Sequence, residues 1–74
     1  MRSGPYRLFF YSTEGDEAPH VHVERGRSTV KFWLEPVELA GRSRFRNHEV
    51  ERIRRIVMEG RIKLLEDWYE HFAG

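Results

Sequence analysis

From His20 to Leu34 the chain alternates polar and apolar residues on either side of a glycine, and no other stretch restricts the fold as much. A strand sends successive side chains to opposite faces. In residues 20 to 25, Val21 and Val23 therefore point one way and His20, His22 and Glu24 the other. Gly26 marks a tight connection. In residues 28 to 34, Val30, Phe32 and Leu34 share one face while Thr29, Lys31 and Trp33 take the opposite one. Two such runs joined this closely predict an antiparallel hairpin with one face toward a core.

The flanking segments extend this unit. Residues 7 to 12, rich in aromatics (Leu8, Phe9, Phe10, Tyr11), read as a strand with apolar residues on both faces. Residues 1 to 5, with Gly4 and Pro5, read as a loose end. Residues 13 to 19 form a turn region containing Gly15, Asp16 and Pro19. Pro36 ends the third strand or places it at an edge, and residues 37 to 41 fit one helical turn.

The last third is helical, with Asn47 as the N-cap and Glu49 in the first turn, near the positive end of the helix dipole. Val50, Ile53, Val57, Leu64, Trp68 and Phe72 fall on one stripe if the helix runs through Gly60, the favoured reading; alternatively Gly60 breaks the helix in two. Met58, Ile62, Leu65 and Tyr69 lie beside it, so the apolar arc exceeds half the circumference. The predicted architecture is α+β, a single domain over residues 1–74, with a three-stranded antiparallel sheet followed by one long or kinked C-terminal helix.

A chain of 74 residues buries a modest core. With no cysteine it has neither a disulfide nor a cysteine-ligated zinc to reinforce that core. A homodimer or a partner chain is the natural supplement, and the over-wide apolar helix surface fits one. No apolar run approaches the roughly 20 residues that span a bilayer, and the N-terminus lacks a signal-peptide apolar stretch. No membrane association and a cytoplasmic setting are therefore expected.

The net charge is +1, too small to announce a nucleic-acid binder. Its distribution is less even: residues 42 to 55 hold six arginines against two glutamates. Arg42, Arg44 and Arg46, with Lys31 on the sheet, are the candidates for phosphate contact. The plainer reading is a solvated face with ion pairs such as Glu51–Arg55 and Glu59–Lys63. Phe9, Tyr11, Trp33 and Lys31 could form a base-stacking surface, or else pack in a core or dimer contact.

His20, His22 and Glu24 project from one strand face at every second position, about 7 Å between neighbours. The two histidines could act as acid and base on a phosphodiester. With Glu24 they could also hold a metal weakly, any fourth ligand coming from residues 14 to 17 or from a second chain. Alternatively they are polar residues of a half-exposed strand. His48 and His71 read as surface residues. The chain has no glycine-rich phosphate loop, serine elbow, paired-histidine helix motif or zinc-finger spacing, which weighs against an enzyme. No cofactor is expected.

FFYSTEGDEAPHVHVE, then KFWLEPVELA, then a helix ending LLEDWYEHF resemble a family of small prokaryotic proteins. That family is known only as a domain of unknown function, number forty-one sixty. The similarity runs from Tyr6 to Phe72, with Gly60 a departure where similar proteins carry a better helix former. The resemblance implies a cytoplasmic strand-then-helix domain, often one half of a toxin–antitoxin-type gene pair, and no catalytic residues. The leading expectation is a protein–protein interaction component of such a module, with possible nucleic-acid contact. The rival is a histidine-dependent RNA nuclease using His20 and His22 with Arg42, Arg44 or Arg46 holding phosphate.

Overall fold

The computed structural model describes residues 1–72. Five strands form one antiparallel meander in the order β1-β2-β3-β4-β5: β1 (Arg2–Ser3), β2 (Tyr6–Phe9), β3 (His20–Arg25), β4 (Ser28–Leu34) and β5 (Val37–Ala40). Helices α1 (Asn47–Glu59) and α2 (Arg61–Phe72) follow. The α+β class and the central hairpin agree with the sequence reading. In β3–β4, Val21 sits opposite Phe32 and Val23 opposite Val30, so the apolar residues of the two runs meet on one face.

The expected three strands are five, for two local reasons. Residues 1 to 5 are not a loose end: Gly4, at φ 56°, turns the chain so that Arg2–Ser3 pairs with Tyr6–Arg7. That conformation costs glycine little. Residues 37 to 40 form a strand and not a helical turn, because Val37 and Leu39 continue the sheet by pairing with Leu34 and Phe32. The second strand is also shorter than expected and ends at Phe9.

The favoured single helix is likewise replaced by two, the alternative that a break at Gly60 allowed. Gly60 leaves the helical region, at φ −93° and ψ 7°, and separates α1 from α2. Glycine has the weakest hold on helical geometry of any residue but proline, and the apolar stripe gains by redirecting at this point. Val50, Ile53 and Val57 of α1 and Leu64 and Trp68 of α2 are all buried, so both helices keep the same stripe on the protein. Asn47 is the first helical residue and not the cap. Arg46 occupies the cap position without a side-chain hydrogen bond. Glu49 acts through its tertiary contacts. It accepts the Tyr6 hydroxyl at 2.8 Å and pairs with Arg25 at 2.8 Å, which ties the first turn of α1 to β2 and β3.

The core lies between the sheet and the helices. Tyr6, Leu8, Val21, Val23, Val30, Phe32 and Leu34 from the strands meet Val50, Ile53, Val57 and Leu64. The neighbouring apolar set is left outside: Met58, Ile62 and Tyr69 are 58%, 70% and 51% exposed. The helical ion pairs are Glu51–Arg54 and Lys63–Asp67, in place of the pairs expected from spacing. Phe32 is fully buried at the centre of the packing, so Phe32→Ala should cost roughly 3–5 kcal/mol in urea unfolding. Met58→Ala, at an exposed position, should stay within about 0.5 kcal/mol.

Candidate functional site

The connection between β2 and β3 spans residues 10–19 and does not hang free. Gly15 lies so close to the Phe72 ring that a methyl group there would collide with it. Glu17 accepts from Lys31 at 2.6 Å. Glu14 bends back toward its own turn, where one carboxylate oxygen, Oε1, accepts the Tyr11 backbone N–H at 3.0 Å. These contacts carry the Glu14 carboxylate to the start of β3, beside His20 and His22.

His20 is the only buried polar residue among those described, with no solvent exposure. Strand alternation alone would send it outward with His22. Its ring is instead enclosed by Trp68 of α2 at 4.8 Å, Trp33 of β4 at 5.7 Å and His22 at 5.2 Å between ring centres. Nδ1 lies 2.9 Å from the Ala18 carbonyl oxygen. A carbonyl only accepts, so Nδ1 is the protonated nitrogen and donates. Nε2 is 3.0 Å from Glu14 Oε1 but is not aligned for a hydrogen bond, and it is left buried and unsatisfied. The oxygen explains why: its two lone pairs already serve Tyr11 N–H and the ring of His22, whose Nε2 donates at 2.9 Å.

The cluster is therefore Glu14, His20 and His22, each offering one donor atom, all within 4.8 Å of one another. Glu24, the carboxylate expected from strand spacing, is not part of it. The rise of the strand carries Glu24 away from His20, and Arg7 grips it with two hydrogen bonds of 3.0 and 3.1 Å. The expected contribution from residues 14 to 17 comes from Glu14, as a member of the first set and not as a fourth ligand. Alternation could not reveal it, because a loop carboxylate has no register with a strand.

Of the four basic candidates, Lys31 and Arg42 line one shallow hollow with His22, Thr29 and Ala40. Arg42 and Arg44 line the next, with Arg27 and Ser43. Arg46 lines neither and is exposed at the head of α1. Lys31 sits 4.5 Å above the Trp33 ring, and Arg7 4.2 Å above Phe9. His48 and His71 are exposed, as expected of surface residues.

Partial burial acts to raise the Glu14 pKa, but the hydrogen bonds from the Tyr11 N–H and from His22 outweigh it and hold the carboxyl below its ordinary 4.5. A depressed carboxylate stabilises the fold above its unfolded pKa and loses that contribution as pH falls through its folded one. The groups facing it are His20 and His22 of β3 and the Tyr11 amide. Glu14→Gln should shrink the loss of stability below the ordinary carboxylate range by roughly 1–3 kcal/mol in urea titrations.

Comparison with curated proteins and with solved structures finds no match for the chain. A family description does match: "Domain of unknown function (DUF4160)" covers residues 6–69, from the start of β2 to the last turns of α2. That span holds the core strands, the residue 10–19 loop and the Glu14–His20–His22 cluster together, and the chain belongs to the DUF4160 family.

Proposed function

We propose that this domain is the protein-binding component of a two-gene, toxin–antitoxin-type module in a prokaryotic cytoplasm. The observation that carries this reading is the apolar surface left open where α1 meets α2. Met58 and Ile62 are more than half exposed and line a hollow with Pro36 and Val37. A domain this small has few large apolar side chains, and two of them are placed where they add nothing to its own core. Arg61 and Glu59 flank the hollow and supply the polar rim expected of an interface. No described helix is long and apolar enough to cross a membrane, so a protein partner is a better occupant of this surface than a bilayer core.

The paired-gene context comes from the family resemblance, and the partner in this reading is the product of the neighbouring gene, with self-association as the competing outcome. A nucleic-acid contact would use the other side of the sheet, where Lys31 on Trp33 and Arg7 on Phe9 place cations over aromatic rings. The histidine-nuclease reading is less favoured. His20 has no exposure, so a polynucleotide could reach only His22.

The solution mass of the protein, alone and mixed with the neighbouring-gene product, tests the proposal. The expected result is a complex with the neighbour that is weakened at least tenfold by Ile62→Glu, a substitution on the surface that leaves the core intact. A protein that stays monomeric and ignores the neighbour overturns it, and so does a complex indifferent to Ile62→Glu.

A further inference from the structure

The Glu14–His20–His22 cluster has a feature that protein packing alone does not explain. A neutral His20 that donates from Nδ1 to Ala18 carries a bare lone pair on Nε2. That lone pair is fully buried and sits 3.0 Å from a carboxylate oxygen, which also bears lone pairs. Two acceptors at this distance repel unless a cation lies between them, either a second proton, which would make His20 an imidazolium paired with Glu14, or a metal ion. Leaving a buried acceptor unsatisfied is costly. Trp68 and Trp33 hold the ring in place, so it cannot turn away to relieve the conflict.

We infer that Glu14, His20 and His22 form a binding site for a borderline transition-metal ion such as zinc. Two imidazole nitrogens and one carboxylate oxygen suit zinc, cobalt, nickel or copper and do not suit magnesium or calcium, which take oxygen ligands. The arrangement around His20 is that of a metal-binding histidine: the nitrogen remote from the site donates to a backbone carbonyl, which fixes the tautomer and aims the other nitrogen inward. The Tyr11 N–H does the same for the carboxylate. A metal would replace the proton that His22 now donates to Glu14.

Two of the three distances lie close to what an ion needs. Bonds of about 2.0–2.1 Å in a tetrahedral site place donor atoms roughly 3.3 Å apart. The Glu14 oxygen is at present 2.9 Å from His22 Nε2 and 3.0 Å from His20 Nε2, and the three donors lie within 4.8 Å of one another. Admitting the ion takes an outward shift of Glu14 by a few tenths of an ångström and a convergence of the His22 ring on His20. Glu14 comes from a loop and His22 is partly exposed, so these two supply the movement while His20 stays fixed. Three protein ligands leave a fourth position for water or an added donor. It faces the side of Glu14 and His22, which are 16% and 14% exposed, and away from buried His20. The site is independent of the apolar surface at the α1–α2 junction, so the two proposals stand or fall separately.

The test is a titration of metal-free, full-length protein with cobalt(II) and with zinc(II). It is read by visible cobalt absorption, by calorimetry and by tryptophan fluorescence. The two tryptophans of the chain are the two that flank His20, so a cobalt ion there should quench most of the emission. The expected result is saturation at one equivalent, with affinity lowered 10–100-fold in Glu14→Gln and in His22→Ala. Glu24→Gln and His48→Ala, outside the cluster, should bind like the parent. Circular dichroism checks that each variant is folded. Glu14→Gln removes the charge at nearly constant shape and remains decisive if His22→Ala is not. Binding weaker than millimolar overturns the inference. So does a Glu14→Gln protein that binds as tightly as the parent, or equal loss in Glu24→Gln.

Discussion

The burial of one histidine ring organises the half of this molecule that carries the residue 10–19 loop. His20 opens β3, and strand geometry turns it to the side of the sheet away from the main core. There it would be an ordinary polar residue if α2 ended before Trp68. Instead Trp68 reaches the ring, Trp33 flanks it, and Phe10 and Phe72 pack on Trp68. The residue 10–19 loop then has a fixed surface to fold against, and its own contacts follow. Gly15 meets Phe72, Glu17 meets Lys31, and Glu14 meets the two histidines. The loop is held by side chains from three separate elements, which is how ten residues without regular structure keep one conformation.

This arrangement divides the domain into two parts with different physics. One is the apolar sandwich of sheet and helices, where Val21, Phe32, Ile53 and Val57 are fully buried. The other is a small polar and aromatic cluster around His20, whose ring lies between two indoles and beside His22 and the Glu14 carboxylate. Low local dielectric strengthens such contacts and makes an unpaired member costly. Burial of His20 therefore requires that every polar atom of the ring be accounted for. Nδ1 is accounted for by Ala18, and Nε2 is the remainder on which the proposed metal site rests.

Much of the fold was legible because it depends on period. The alternation of β3 and β4 gave both strands, their hairpin and which residues share a face, and the stripe of Val50, Ile53, Val57, Leu64 and Trp68 gave the buried face of both helices. The edge strands were not legible in the same way. Arg2–Ser3 has no apolar pattern and exists because Gly4 reverses the chain onto Tyr6. Val37–Ala40 carries the same composition as a helical turn and is decided by pairing with β4. In the site, period correctly put His20 and His22 on one face and misled over Glu24. Periodicity treats a strand face as a flat row, whereas a cluster needs donors that converge. Convergence came from Glu14 in a loop, brought in by Gly15 and the Tyr11 amide, and short-range pattern carries no trace of that.

The central claim is that His20 is held by Ala18 so that Nε2 is left facing Glu14 without a bond partner of its own. Long-range nitrogen–proton correlation spectra of the histidine side chains, recorded with and without zinc, test it directly. The account predicts that His20 Nδ1 keeps its proton in both states and that the Nε2 resonance is the one zinc moves. A His20 that carries its only proton on Nε2, or an Nε2 resonance indifferent to zinc, would contradict it.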